Sequence, residues 1–396
     1  MTRLWDRGGA LDARVLQFTA GDDFALDERL VRYDVRASIA HAQMLSTQGL
    51  ISPADAVAIS DGLNRLAEEH ERGLWRIELA DEDGHTALER RLTARIGAAG
   101  GRVHLGRSRN DQLLAALRLY LREVIAQLAT GTQRVVDALD RLAERQGAIA
   151  LPGYTHMQQA MPSSVALWAR GFAAELLDAA QGLQSVYRRL AKNPLGSAAG
   201  YGTPGLPLDR QATTRALGFD LPQEPVTSVQ LSRGKAEAQL LFELTLLMQD
   251  LGRLATDALL FYTSEFAFVD LDPSFTTGSS IMPQKRNPDV LELLRGRSAS
   301  ALACLTEALA LCAKLPSGYQ RDLQLLKQPL FRGIDLAAQS LEITAAAVDA
   351  LEFRAERIRI DPAVHAAEEA YALVVAEGIP FRDAYRRVAQ RFTRQD

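Results

Sequence analysis

The chain has 396 residues, 24% charged and 47% hydrophobic, with a formal net charge of -4. This is a globular composition, which excludes a disordered chain, and 45 basic against 49 acidic residues give no sign of a nucleic-acid or membrane-surface partner. Only two cysteines, Cys304 and Cys312, exclude a disulfide scaffold and a Cys-rich zinc module.

Length alone allows roughly two to three domains. Asp6 interrupts the start before any apolar run, so no signal peptide is expected. No stretch is long and apolar enough to predict a membrane helix. These features point to a cytoplasmic protein with no membrane partner.

In chain order, residues 1–103 carry short helical patterns and form a predicted N-terminal helical domain. Ser52-Pro53-Ala54-Asp55 is a helix start, with Ser52 as N-cap and Pro53 in the first position. Asp81-Glu82-Asp83-Gly84-His85-Thr86 reads as a second start capped by Asp83 or Thr86, or as a metal cluster. The acid spacing fits no standard metal motif.

Residues 104–352 form a predicted long-helix domain. Long proline-free stretches rich in Ala, Leu, Arg, Glu and Gln favour helix, and β-branched alternation is scarce. From Ser108 to Gly147, Leu114, Leu117, Leu121, Val124, Ile125, Leu128, Val135 and Leu139 recur at the helical period. A helix of about forty residues would span roughly 60 Å. Asp111 sits in its first turn, where the helix dipole favours an acid.

Residues 163–192, Gln230 to Phe268 and Asp289 to Lys314 read as three more long helices. Leu240 to Met248 is apolar on most of its circumference and needs neighbours on several sides. An all-α bundle completed by other subunits fits these wide apolar faces. After Asp361-Pro362 the pattern shortens, so residues 353–396 read as a small C-terminal helical domain.

Polar residues crowd into the joints. Thr276-Thr277-Gly278-Ser279-Ser280-Ile281-Met282-Pro283-Gln284-Lys285-Arg286-Asn287-Pro288 holds hydroxyls, cations and an amide beside a helix start, a set that suits an anionic substrate. It reads equally as a solvated connector. A bare serine is a poor base and needs an activating field.

Pro152-Gly153-Tyr154-Thr155-His156-Met157-Gln158-Gln159-Ala160-Met161-Pro162 is a Pro-bounded joint whose His156 is an acid–base candidate. Gly106-Arg107-Ser108-Arg109-Asn110-Asp111-Gln112 places two arginines at a helix start, either for carboxylates or as solvated charge. Gly318-Tyr319-Gln320-Arg321-Asp322-Leu323-Gln324-Leu325-Leu326-Lys327 is a further polar joint. Gly196 to Gly202 has glycines but no preceding strand, which excludes a dinucleotide loop.

Together these motifs resemble one family. Gly278 to Pro288 is similar to the signature loop of the fumarase/aspartase superfamily, and Met282-Pro283-Gln284-Lys285-Arg286-Asn287-Pro288-Asp289 resembles its argininosuccinate lyase variant. The Gly106–Gln112, Pro152–His156, Asp83-x-His85 and Gly318–Lys327 motifs follow the same family's order. The resemblance runs from Leu4-Trp5 to Ile379-Pro380-Phe381-Arg382.

It implies an all-α fold with long helices from four subunits in a central bundle, a homotetramer with sites shared by three subunits. The implied activity is reversible cleavage of the small molecule argininosuccinate to arginine and fumarate in arginine biosynthesis, with no metal or organic cofactor.

By the same resemblance Ser279 is the base, and Lys285 and Asn287 hold the aci-carboxylate. His156, oriented by Glu292 of another subunit, handles the leaving group's proton, with Thr155 beside it. Ser108, Arg109 and Asn110 bind the fumarate-side carboxylates. Tyr319, Gln324 and Lys327 hold the arginine side, and His85 lies near the pocket.

The alternatives are another fumarate-releasing lyase, such as an adenylosuccinate lyase-like enzyme, and a crystallin-like structural protein. The chain departs from the family at Asp23, Gly84, Leu105, Gln159, Met161, Leu325-Leu326 and Ser228 to Lys235, where Arg233 is taken as the family arginine. The family's further C-terminal tail is expected to be absent or cut.

Overall fold

The computed structural model describes residues 12–392. The Leu4-Trp5 start of the resemblance and Asp6 lie outside them. The described chain is mostly helical. The elements used below are α1 (Val31–Thr47), α2 (Pro53–Glu71), α3 (Gly84–Ile96), α4 (Arg109–Gln146), α5 (Val165–Leu190), α6 (Lys235–Tyr262), α7 (Asp289–Cys312), α8 (Lys327–Asp349), α9 (Ala366–Glu377) and α10 (Phe381–Ala389). Among the described residues no helix is long and apolar enough to cross a membrane.

The ends of these helices follow their caps. Ser52 Oγ accepts from Asp55 N at 3.1 Å and Pro53 opens α2. Asp83 Oδ1 accepts from Thr86 N at 2.8 Å and starts α3. Ser108 and Asp111 cap α4 reciprocally: Ser108 Oγ accepts from Asn110 N at 3.3 Å, and Asp111 Oδ1 accepts from Ser108 N at 3.0 Å. Gly147 follows α4, where an added Cβ would meet Ala143 O at 2.0 Å. No larger residue fits that stop without moving backbone.

Two expectations need correction. The helix expected from Gln230 to Phe268 is broken near its start. Ser228–Leu231 is a separate turn of helix, Gly234 takes φ +82°, and α6 begins only at Lys235. A side chain at 234 would meet Cys312 Sγ at 2.1 Å, so close packing demands glycine there. The Pro152–Pro162 joint is an antiparallel hairpin of β1 (Ala150–Thr155) and β2 (Gln158–Ser164), with a bulge after Gly153. Its prolines face each other as partners, Pro152 with Pro162, and a two-stranded ribbon tolerates them because both strands are edges.

The chain divides into two compact units. Of the described residues, the first comprises 12–127, 181–244 and 301–335. One apolar core there is made by Val35, Leu45, Ile59, Leu63, Leu66, Leu88 and Leu92, where α1, α2 and α3 pack. Fully burying such side chains stabilises by ~1.5–3 kcal/mol each.

The second comprises residues 128–180, 245–300 and 336–392. It buries Ala255, Ala258, Leu291, Leu294 and Ala347 between helices. Trp168, Phe261 and Phe353 form an aromatic cluster, and Trp168 Nε1 donates to Asp257 Oδ2 at 3.0 Å. Val269–Leu271 pairs antiparallel with Leu351–Phe353. α9 and α10 close on Ala370, Ala384 and Val388.

Candidate active site

In the second unit the chemistry sits on two exposed features. The first is the loop between Thr277 and Asn287. These two residues pinch its base by backbone bonds in both directions, Thr277 N to Asn287 O at 3.0 Å and Asn287 N to Thr277 O at 2.8 Å. Thr277 Oγ1 donates to Asp289 at the start of α7, which ties the neck to that helix.

Beyond the neck little holds the loop. Ser279 is half-buried, and its Oγ accepts from Ile281 N at 3.3 Å and Met282 N at 3.1 Å. Two donated hydrogen bonds favour the charged oxygen over the neutral hydroxyl. Asn287 Nδ2 reaches Gly278 O at 3.4 Å. Lys285 is exposed, as is Glu292 in the first turn of α7.

The second feature is the hairpin tip. His156 and Met157 occupy the two central positions between the paired Thr155 and Gln158, with φ +51° and +62°. Positive φ at both positions is the pattern of a type I′ turn. Neither residue favours it, so the tip holds strain of order 1 kcal/mol or more per residue. Gln159 clamps the stem: its Nε2 donates to Arg359 O at 2.9 Å and its Oε1 accepts from Asp361 N at 2.9 Å. Thr155 and His156 are exposed. Among the described residues no hydrogen bond or ion pair within the chain joins His156 to Ser279, Lys285 or Glu292.

In the first unit the candidates are brought together and largely buried. His85 on α3 puts Nδ1 2.6 Å from Asp34 Oδ2 on α1. Asp34 also accepts from Gln112 Nε2 at 2.8 Å and from Ser38 Oγ at 3.1 Å. Arg107 Nη1 donates to Ser38 Oγ at 2.9 Å. Arg109 Nη1 donates to Asp83 Oδ2 at 3.1 Å. Ser108 and Asn110 stand half-buried beside it at the α4 cap.

Burial alone would push His85 down, but Asp34, with Asp83 and Asp27, outweighs it and holds the imidazole above its ordinary value. Burial opposes the charge of Asp34 as well, and His85, Arg107 and Gln112 together keep that carboxylate below its usual range. The two directions agree on an imidazolium–carboxylate pair.

Lys327 opens α8 and is buried. Its Nζ lies 2.6 Å from Asp27 Oδ1 and 3.0 Å from Asp23 Oδ1. Burial pushes the ammonium down, but Asp27 and Asp23 outweigh it and raise it. One ammonium does not hold two carboxylates equally. Asp27 has the closer contact, and Asp23 is pushed up to about 7 by burial, which Lys327 only partly opposes, with Asp27 and Asp83 raising it further.

Gly84 belongs to this arrangement: its N–H donates to Asp27 Oδ2 at 3.0 Å, and an added Cβ would stand 3.3 Å from Asp27 Cβ. The departures at 23 and 84 thus meet at one buried ion cluster. Gln324 Nε2 donates to Thr19 O and Ala20 O at 2.9 and 3.3 Å, and Tyr319 is half-buried. Arg233 is buried, with Nε 3.8 Å from Glu237 and Nη2 3.5 Å from Leu323 O.

Asp111 does more than complement a helix dipole. Besides capping Ser108, its Oδ2 accepts from Gly196 N and Ala198 N at 3.0 and 2.8 Å. The glycines of this run serve the backbone, since Gly196, Gly200 and Gly202 take φ +84°, +111° and +79°, and a two-residue strand, Lys192–Asn193, does precede them, against expectation. Asp34, Ser38 and Gln112 were not singled out from sequence as site residues. The available signal was a charged residue on the buried face of α1.

A family model described as "Lyase" matches residues 8–302. An argininosuccinate lyase of Sorangium cellulosum is 47% identical over 390 residues, 98% of this chain and 90% of that protein. The solved structure of an EDDS lyase variant with bound fumarate superposes with a TM-score of 0.80 at 26% identity, covering 96% of this chain and 76% of that one. A class II fumarase of Schistosoma mansoni shares the fold, with a TM-score of 0.80 at 19% identity over 98% of this chain and 90% of its own. The all-α expectation stands, and the chain belongs to the argininosuccinate lyase family.

Proposed function

We propose that the protein cleaves argininosuccinate reversibly to arginine and fumarate, the activity named for its relatives. The observation that supports the reading is the necked loop preceding α7, whose sequence carries Ser279, Lys285 and Asn287.

In the elimination, Ser279 Oγ, acting as the alkoxide, takes the proton beside a carboxylate and becomes the neutral hydroxyl. The electron pair flows into that carboxylate, and Lys285 and Asn287 stabilise the added charge. The pair then returns to form the C=C bond of fumarate as the C–N bond to the guanidino nitrogen breaks. His156, paired with Glu292 of another subunit, supplies the proton that the leaving group takes, and Thr155 helps to bind substrate. Ser108, Arg109 and Asn110 receive the succinyl carboxylates. Tyr319, Gln324 and Lys327 line the arginine side.

A homotetramer with each site shared by three subunits accompanies this reading, as does a cytoplasmic place. Exposed Leu167 on α5, Phe242 on α6 and Leu293, Leu302 and Leu309 on α7 support it, because large apolar residues along long helices call for partner helices.

The purified protein is expected to release fumarate from argininosuccinate, read as ultraviolet absorbance. Release from adenylosuccinate, aspartate or malate instead would transfer the reading to another lyase. Analytical ultracentrifugation reads the assembly, and a monomer would remove the shared-site scheme.

A further inference from the structure

Asp34 has no role in the reaction as set out above, yet it is one of the most fully engaged carboxylates in the first unit. It is 2% exposed and lies on α1, with hydrogen-bond partners on α3, α4 and its own helix. A buried carboxylate costs several kcal/mol unless its lone pairs are satisfied, and here His85, Gln112 and Ser38 satisfy them. Arg107, itself buried, holds Ser38 from behind. The chain Arg107–Ser38–Asp34–His85 therefore fixes one imidazole through its Nδ1.

His85 is only 7% exposed, and its Nε2 is buried with no hydrogen-bond partner. A histidine held by a carboxylate at one nitrogen presents the other in a defined orientation. In the same unit stand Arg109 and the α4 cap with Ser108 and Asn110.

We propose that Asp34 is a positioning residue. It holds His85 by Nδ1–H so that Nε2–H is directed as a charged donor to a carboxylate of the succinyl half of the substrate. This rests on the lyase reading above and deepens it. The charged groups around His85 and its partners are Asp34, Asp27, Asp83 and Glu89 on the acidic side and Arg107 and Arg109, which act on Asp34 and Asp83, on the basic side, while the neighbouring His104 is held neutral. Asp34 is the one among them within hydrogen-bond distance of the ring.

The test is kinetic and spectroscopic, on the full-length enzyme. In Asp34→Asn the KM for fumarate in the synthetic direction is expected to rise about tenfold or more, the loss typical of a charge-assisted hydrogen bond. The KM for arginine stays within about twofold. The pH at which fumarate affinity falls moves downward, because the imidazole loses its counter-charge. Ser38→Ala, which keeps the pair, gives a smaller shift in the same direction.

Equal rises in both KM values with an unchanged pH profile would make Asp34 purely structural and overturn the proposal. If Asp34→Asn does not fold, nitrogen-15 NMR of His85 in the wild-type enzyme decides. The proposal requires an imidazolium titrating above about 6.5 whose Nε2 signal moves on adding fumarate. A neutral ring, or a signal blind to fumarate, contradicts it. Absence of fumarate release by the wild type would instead defeat the lyase reading, whatever the state of His85.

Discussion

The candidate site residues of the two units carry their charge in opposite ways. In the first, Asp23, Asp27, Asp34, Asp83, His85, Arg109 and Lys327 are drawn into mutual pairs, most of them buried. In the second, Ser279, Lys285, His156 and Glu292 sit on an exposed loop, a hairpin tip and a helix start. Paired and buried groups have fixed positions and lose little entropy when a ligand arrives. Exposed groups on a necked loop can move to meet a reacting atom. The first arrangement suits recognition and the second suits proton transfer.

This contrast breaks most visibly at Ser279. The variant Ser279→Ala is expected to lose ~10²–10⁴-fold or more in kcat, the range for removing a general base. Its thermal unfolding stays as in the wild type, since Ser279 accepts only two local loop hydrogen bonds. Wild-type turnover would take Ser279 out of the base role.

Lys327→Met tests the other side. Removing the ammonium leaves Asp27 and Asp23 facing each other without a cation, and breaking such a buried pair costs ~3–5 kcal/mol. Denaturant unfolding reads the loss. Adding Asp27→Asn is expected to return part of it, and simple additivity in that double variant would show that the two groups do not interact.

How far the sequence foretold this depends on the element. The long helices were legible because proline spacing and leucine periodicity act locally: α4, α5 and α7 end within two residues of their expected limits. The hairpin was not, because its turn uses His156 and Met157 where a type I′ turn normally carries Asn or Gly. The necked loop was legible as a polar joint, but its Thr277–Asn287 pinch is a backbone pairing that side-chain chemistry does not announce. Asp34 escaped notice because two of its partners, His85 and Gln112, lie 51 and 78 residues away along the chain.

Acid should sharpen the contrast at the scale of a kcal/mol. Burial pushes His41 down to about 3 and His104 down to about 4, in each case assisted by Arg107. Both rings are neutral in the fold, whereas the unfolded chain binds protons at about 6.5. Their stabilisation is complete above that pH and is lost as pH falls toward 3 or 4, at up to about 1.4 kcal/mol per pH unit for the buried His41 and by less for the more exposed, solvent-screened His104. Asp23 has the opposite sign: its raised value gives stability that is full below about 3.9 and is lost as pH rises through about 7. Melting curves from pH 7 to 4 are expected to fall less steeply for His41→Asn than for the wild type, and parallel curves would refute the assignment.

The smallest effect is at the hairpin tip. Met157→Gly relieves one positive-φ side chain and is expected to stabilise by ~0.5–1 kcal/mol. A drop in melting temperature would mean that Met157 contributes packing outweighing its strain.

The division between recognition and proton transfer is tested most directly by equilibrium binding of fumarate and of argininosuccinate to Ser279→Ala. A Kd for fumarate within about twofold of the wild-type value and micromolar-to-millimolar binding of uncleaved argininosuccinate are expected, with catalysis nearly abolished. A loss of affinity in proportion to the loss of turnover would contradict that division.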